Sequence, residues 1–225
     1  MPPRIERLEI GRSPWLGVYS SVNDEIALLP EEASSYVCRA YERSLGVDVK
    51  KTSICATSII GSLTAMNSKG VIAPDFATSR EKKFLGELGL NVGFIEKGPN
   101  AAGNLILVNE EKALVGPSVA EEAKKTIADV MGVELTETSI GNMEVLGSIA
   151  LMSDRGLVVS PKVMSYELDA IKDFLSVRIE LGTVNSGSEY VGAGAIANSK
   201  GAIAGKPTTG MELGRIEEVL FSCGD

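Results

Sequence analysis

Apolar and polar positions follow one pattern five times along the chain: an apolar run ending in glycine, six residues to an Asn or Ser, a polar turn, and a second apolar run. The copies begin at Trp15-Leu16-Gly17, Ile60-Gly61, Ala102-Gly103, Leu146-Gly147 and Val191-Gly192, and reach Asn23, Asn67, Asn109, Ser153 and Asn198. Their glycines fall 44, 42, 44 and 45 residues apart. A fixed period of this length marks a repeat architecture, in which each supersecondary unit buries its apolar face against its neighbours. The expected units are approximately 10–52, 53–97, 98–140, 141–184 and 185–225. A single domain over 1–225 is expected, because no linker or shift in composition divides the chain.

Each unit reads as hairpin, helix, strand. Strands are predicted at 16–19 and 26–29, 60–65 and 71–73, 105–108 and 113–115, 149–152 and 157–159, and over 193–197, with turns such as Asn67-Ser68-Lys69-Gly70 between them. Pro30 followed by Glu31 and Glu32 predicts a first helix, with Ala33, Val37, Tyr41 and Leu45 on one stripe and Gly46 as its stop. Capping boxes are predicted at Thr78–Glu81, Ser118–Glu121 and Thr209–Glu212, and stops at Gly89 and Gly132. Unit five lacks a closing strand, whereas residues 4–10 form an unassigned one ahead of unit one. Pairing the two would close the array into a ring with no end to cap. Small residues after the repeated glycines, Ser62, Asn104, Ser148 and Ala193, suit five strands crowding toward one axis.

Composition removes several kinds of chemistry. The absence of histidine from all 225 residues excludes Ser-His-Asp and Cys-His catalysis and histidine metal sites. Cys38, Cys55 and Cys223 are widely separated and in no CxxC, so buried reduced thiols are expected rather than disulfides or zinc. The stretch 201–208 imitates a phosphate-binding loop but has three residues between its glycines and Pro207 where Ser or Thr is required. Gly192-Ala193-Gly194 lacks the third glycine of a dinucleotide fingerprint and falls in a predicted strand. No cofactor or metal is expected. A net charge of −8 disfavours a groove that tracks nucleic-acid phosphates. The charged N-terminus and the lack of any membrane-length apolar stretch predict a cytoplasmic protein that meets no membrane. The polar, glycine-punctuated link 182–189 is a candidate recognition loop.

Four segments carry a resemblance that covers essentially the whole chain: Ile59-Ile60-Gly61, Ala102-Gly103-Asn104, the run 182–189 (Gly-Thr-Val-Asn-Ser-Gly-Ser-Glu), and 208–213 (Thr-Thr-Gly-Met-Glu-Leu). In order and spacing they resemble the translation initiation factor 6 family in its archaeal form. The resemblance implies an α/β, pentein-like closed ring (an α/β propeller) of five pseudo-symmetric repeats that binds the large ribosomal subunit, prevents its joining to the small subunit and catalyses no reaction. It implies a monomer that docks on a ribosomal protein at the joining face, with a minor rRNA contact and a role that extends to large-subunit maturation. The ribosome-contact candidates carried over are Gly17, Ser62, Asn104 and Ser148, with Asn185 and Ser188 from the family motif. Two alternatives stay open at this point. Pentein-like rings include guanidine-modifying enzymes with a cysteine nucleophile, for which Cys223 would be the candidate, and a ring-shaped adaptor would serve a nonribosomal partner.

Overall fold

The computed structural model describes residues 4–222, and Cys223 lies outside them. The chain opens with strand β1 (Arg4–Leu8). Unit one follows as α1 (Leu16–Tyr19), β2 (Ser21–Val22), β3 (Ile26–Pro30), α2 (Ser35–Leu45) and β4 (Asp48–Thr52). Unit two is α3 (Ile60–Leu63), β5 (Ala65–Met66), β6 (Gly70–Pro74), α4 (Ser79–Gly86) and β7 (Asn91–Ile95). Unit three is α5 (Ala102–Leu105), β8 (Ile106–Val108), β9 (Lys112–Val115), α6 (Glu121–Met131) and β10 (Glu134–Glu137). Unit four is α7 (Leu146–Ile149), β11 (Ala150–Met152), β12 (Gly156–Val159), α8 (Ser165–Leu175) and β13 (Arg178–Leu181). Unit five is α9 (Val191–Gly194), β14 (Ala195–Ala197), β15 (Gly201–Gly205) and α10 (Gly210–Phe221).

Every unit holds a three-stranded sheet in which the middle strand pairs antiparallel with the inner strand and parallel with the outer one. In unit five the outer strand is β1, paired in parallel with β15 from Arg4 opposite Gly201 to Leu8 opposite Gly205. The inner strands β2, β5, β8, β11 and β14 stand around one axis, each touching the next, and β14 returns to β2. The core lies between these sheets and the helices and crosses unit boundaries. Leu16, Leu29, Tyr41 and Leu45 of unit one pack with Leu8, Ile196 and Ile203 of unit five. Each half-buried sheet thus gains the cover that a single unit lacks.

The structure corrects the opening of each unit. Residues 16–19, 60–63 and 193–194, predicted as strand, lie in one-turn helices α1, α3 and α9, with Gly192-Ala193-Gly194 in the last, and α5 and α7 form the same turn ahead of the strands predicted at 105–108 and 149–152. A short apolar run has no period that separates strand from helix. In α1 and α3 the turn is closed by Ser20 and Thr64, whose backbone N–H and hydroxyl both donate to the carbonyls of Leu16 and Ile60. Pro30 ends β3 rather than starting the helix, whose cap is Ser34, with Oγ accepting from the Val37 N–H at 3.3 Å. Ser118 caps nothing; the residue before α6 is Ala120, and the Ser118 N–H donates to Glu144 Oε2 of unit four at 2.8 Å. Helix α4 stops at Gly86, before Gly89. The boxes at Thr78–Glu81 and Thr209–Glu212 and the left-handed stops at Gly46 and Gly132 are present.

The recurrent Asn does two jobs. Its Oδ1 accepts the backbone N–H groups of its own turn, as Asn67 does from Lys69 and Gly70, while its Nδ2 donates to the next unit. Asn198 reaches the Asn23 carbonyl, Asn23 the Asn67 carbonyl, and Asn67 the Asn109 carbonyl, at 3.1, 2.9 and 3.2 Å. Ser153 is too short to continue the belt and donates to Leu220 instead. This defines an asparagine end of the ring. The glycine-bearing turns, the helix N-termini and the loops that enter each unit lie at the other, glycine end, because the inner strands run from one to the other.

Candidate functional site

At the glycine end the repeated glycines touch one another in a closed cycle. A Cβ on Gly17 would overlap the carbonyl of Gly192, one on Gly61 that of Gly17, one on Gly103 that of Gly61, one on Gly147 that of Gly103, and one on Gly192 that of Gly147. Only glycine permits such an approach of five backbones around one axis. Within the ring is a cavity of about 130 Å³ lined by these glycines and the inner strands, with no charged side chain. It has room for a few waters and no catalytic group.

The residue after each glycine forms a rim: Val18, Ser62, Asn104, Ser148 and Ala193. Asn104 and Ser148 are half-buried and joined across the seam between units three and four, with Ser148 Oγ donating to Asn104 Oδ1 at 3.1 Å. Ser62 is buried at 9% exposure. Gly17 contributes backbone to the ring and no side chain. Asn185 and Ser188 lie outside this rim, in the link entering unit five. Asn185 Nδ2 donates to the Pro14 carbonyl at 3.2 Å, its N–H donates to Thr208 Oγ1 at 3.0 Å, and Ser188 pairs through its backbone with Val184. Asn185 therefore joins units five and one, whereas Ser188 closes the turn of its own link.

Three such links are tight turns held in left-handed backbone conformation, at Cys55-Ala56, Gly141-Asn142 and Asn185-Ser186-Gly187. A buried glutamate at the third position of the following helix clamps each one. Glu81 accepts from Ser53 Oγ at 2.7 Å, from the N–H groups of Cys55 and Ala56 at 2.9 Å, and from the Thr78 N–H at 2.8 Å. Glu167 does the same for Ser139, Gly141, Asn142 and Met164, and Glu212 for Thr183, Ser186, Gly187 and Thr209. Burial raises the Glu81 pKa, but the hydrogen bonds from Ser53, Ala56 and Thr78 outweigh it and bring the group down to about 2. Glu167 and Glu212 are lowered by the same balance of burial against donors. These carboxylates are structural acceptors held ionised, which is the opposite of a proton-transfer group poised near neutrality.

The Cys55 thiol sits in one of these turns, half-buried, and Cys38 is half-buried as well. Burial, then the carboxylates of Glu81 and Asp75, push the Cys55 thiol up to about 11, away from the thiolate that a nucleophile needs. Among the described residues no group of histidine, cysteine or acidic side chains is arranged to hold a metal ion.

What distinguishes the glycine end is apolar exposure. Tyr36, Ile59, Phe76, Met164, Tyr166, Leu181, Tyr190 and Met211 are the exposed large hydrophobics among the described residues, and all eight lie at that end. Charged turns occupy the other. Sequence reading missed these side chains, although a signal exists: Tyr36, Tyr166 and Met211 each fall two residues after a helix cap, off the buried stripe. Apolar residues gathered on one face with polar neighbours mark a surface for a macromolecular partner.

Comparison with known proteins places this ring among relatives. A family model described as the eIF-6 family matches residues 5–219. Proteins named translation initiation factor 6 are 37% identical in Picrophilus torridus and in Thermoplasma acidophilum, in each case over 96% of this chain and 99% of the relative, and 34% identical in Thermococcus onnurineus over 96% and 97%. Among solved structures, a dimethylarginine dimethylaminohydrolase adduct with S-methyl-L-thiocitrulline superposes with a TM-score of 0.56 at 14% identity, over 85% of this chain and 88% of the other. A Pseudomonas aeruginosa dimethylarginine dimethylaminohydrolase complexed with citrulline gives 0.55 at 15%, over the same shares. At that identity the two enzymes show a common pentein-like fold alone.

Proposed function

The chain belongs to the eIF-6 family, and from that premise we propose that it acts in translation initiation by binding the large ribosomal subunit through the glycine end of its ring and excluding the small subunit from the joining face. The observation that carries this reading is that the exposed large apolar side chains of the described residues lie at that end. The mechanism is steric: a rigid disc on the joining face occupies space that the small subunit needs, and no bond is made or broken. A net charge of −8 suits a basic ribosomal protein as the main partner, with rRNA a minor one, since complementary charge speeds encounter and fixes register. The factor works as a monomer in the cytoplasm and needs no cofactor. Gly17, Ser62 and Ser148 set the shape of the docking rim and Asn104 offers its amide. Asn185 supports the rim from the junction of units five and one, and Ser188 from its own link.

Sedimentation with separated large and small archaeal subunits tests this, followed by light scattering of subunit joining at increasing factor concentration. Selective cosedimentation with the large subunit and suppressed joining are expected, both weakened in Asn104→Ala while the thermal melt stays unchanged. Binding to neither subunit would overturn the reading and favour a nonribosomal partner for the same face. Binding to the large subunit without any effect on joining would overturn the steric mechanism alone.

A further inference from the structure

The five seams between neighbouring units are of two kinds. At three of them the hairpin of one unit is tied to the end of the next unit's long helix by backbone contact and by two side chains. Gly70, Gly156 and Gly201 open the middle strands β6, β12 and β15, and a Cβ on them would overlap the carbonyls of Val130, Val219 and Ser44 in the last turns of α6, α10 and α2. The turn residues Asn67, Ser153 and Asn198 donate to the carbonyls of Met131, Leu220 and Leu45 at 3.0, 3.2 and 2.8 Å. Lys69, Arg155 and Lys200 add a second donor, to the carbonyls of Gly132, Phe221 and Gly46 at 3.1, 3.3 and 3.1 Å. Each tether meets an acceptor that the helix leaves unpaired, at the negative end of its dipole.

The other two seams are less firmly held. Between units one and two the glycine position is Ile26, and α4 has eight residues against eleven in α2, α6 and α8. Asn23 donates to the Asn67 carbonyl at 2.9 Å, and among the described residues no side chain of the unit-one hairpin donates to a carbonyl of α4. Between units three and four the glycine position is Lys112. Asn109 reaches the Ser153 carbonyl at 3.5 Å, and the one tether from this hairpin to α8 is the Lys112 ammonium on the Phe174 carbonyl, carried on a long flexible side chain. A cavity of about 430 Å³ lies between the hairpin and the end of α8. An apolar cluster crosses every seam, so anchorage of the helix end is what differs.

The tied seams join units two and three into one body and units four, five and one into another. A closed ring with a single yielding seam cannot change shape, because the tied seams hold both sides of it in place. With two, one seam opens while the other serves as the hinge. We propose that the ring opens as these two bodies, at the seams between units one and two and between units three and four, whereas the other three seams part only when the whole chain unfolds. The closed ring is the ground state, and the opening is a sub-global fluctuation of the free protein. Of the exposed large apolar side chains at the glycine end, Ile59 and Phe76 belong to the smaller body and the other six to the larger. The Asn104–Ser148 hydrogen bond crosses one of the yielding seams. A partner that covers both groups therefore holds the ring closed, a consequence that alone rests on the docking reading above; the opening itself is measured without ribosomes.

Leu28, Ile72, Leu114, Val158 and Ile203 are equivalent positions, each eleven residues after its ring glycine, fully buried and clustered with side chains of the following unit. Each is replaced by cysteine in turn, in a chain whose own three cysteines are changed to alanine, and labelled under native conditions with excess thiol reagent. Rates are expressed relative to each variant's own unfolding equilibrium. Leu28→Cys and Leu114→Cys should label at least tenfold faster than the other three, with a urea dependence shallower than that of global unfolding, because parting two seams exposes less surface. Ile72→Cys, Val158→Cys and Ile203→Cys should show the global urea dependence. Lys69→Met should speed labelling of Ile72→Cys severalfold and leave that of Leu114→Cys unchanged, since units two and three stay together when the ring opens. Equal relative rates at all five positions would overturn the proposal, as would fastest labelling at a tied seam or a global urea dependence at either Leu28→Cys or Leu114→Cys. Should one of these two fail to fold, hydrogen exchange of the unsubstituted chain decides. The Glu110 N–H, donated to Asp154 across a yielding seam at 3.0 Å, should exchange at least tenfold faster, corrected for intrinsic rate, than those of Ser68 and Ser199, donated to Glu110 and Asp24 across tied seams at 2.8 Å; equal exchange would overturn the proposal.

Discussion

Replacing Glu81 by glutamine keeps the size of the clamp and removes its charge, which makes it a direct measure of what the carboxylate contributes. The side chain is buried at 3% exposure and accepts four hydrogen bonds, three of them from the backbone of two different segments. Its pKa falls from 4.5 to about 2. A folded-state pKa below the unfolded one gives stability that is fully present above the unfolded value and is lost as pH falls through the folded one. The shift corresponds to about 3 kcal/mol at neutral pH, of which about 2 kcal/mol is gone by roughly pH 3. Glu81→Gln should therefore cost about 3 kcal/mol at pH 7, or roughly 6 to 12 °C in Tm for a chain of this size. The deficit should shrink to about 1 kcal/mol near pH 3, where the parent has lost most of the same contribution. Urea unfolding of both proteins at the two pH values measures it. A deficit that stays constant with pH would show that shape rather than charge holds the turn, and no deficit at either pH would show that the clamp holds nothing.

Gly103→Ala sets a Cβ against the Gly61 carbonyl, backbone on both sides with nowhere to move, and should cost more than about 3 kcal/mol in urea unfolding; a cost below about 1 kcal/mol would contradict the close-packed ring. Asn67→Ala loses two donors and two acceptors in a buried site and should cost about 2 to 4 kcal/mol. Asn109→Ala, whose inter-unit bond is 3.5 Å long, should cost roughly half as much, and equal costs would deny the belt its role. Ser153→Asn extends the belt to its fifth member and should raise stability by roughly 0.5 to 1 kcal/mol, read as a Tm gain of a few degrees. Acid titration of the parent should show stability falling below about pH 5, because Glu167 and Glu212 are lowered as Glu81 is and their contributions vanish together.

Much of this molecule is written in short-range pattern. The Asn or Ser of each hairpin turn, the caps at Thr78 and Thr209 and the stops at Gly46 and Gly132 depend on residues within four or five positions of one another. Local chemistry is enough to specify them. The surplus strand at the N-terminus and the missing one in unit five were legible for the same reason, as a count of elements, and β1 lies against β15. Other features depend on partners far along the chain. The residue at each unit entrance is glycine because it meets the carbonyl of a glycine 42 to 45 residues away, or, at closure, 175 residues away between Gly17 and Gly192. Gly70 is a glycine because of Val130 in the next unit, a reason invisible in the turn that contains it. Glu81 and Glu212 read as capping residues and Glu167 carried no such signal, and only the fold brings the preceding turn within reach of all three carboxylates. The candidate face belongs to this second class. Burial and charge balance are properties of the assembled ring, and a residue's own neighbours in sequence do not determine which end of that ring it will occupy.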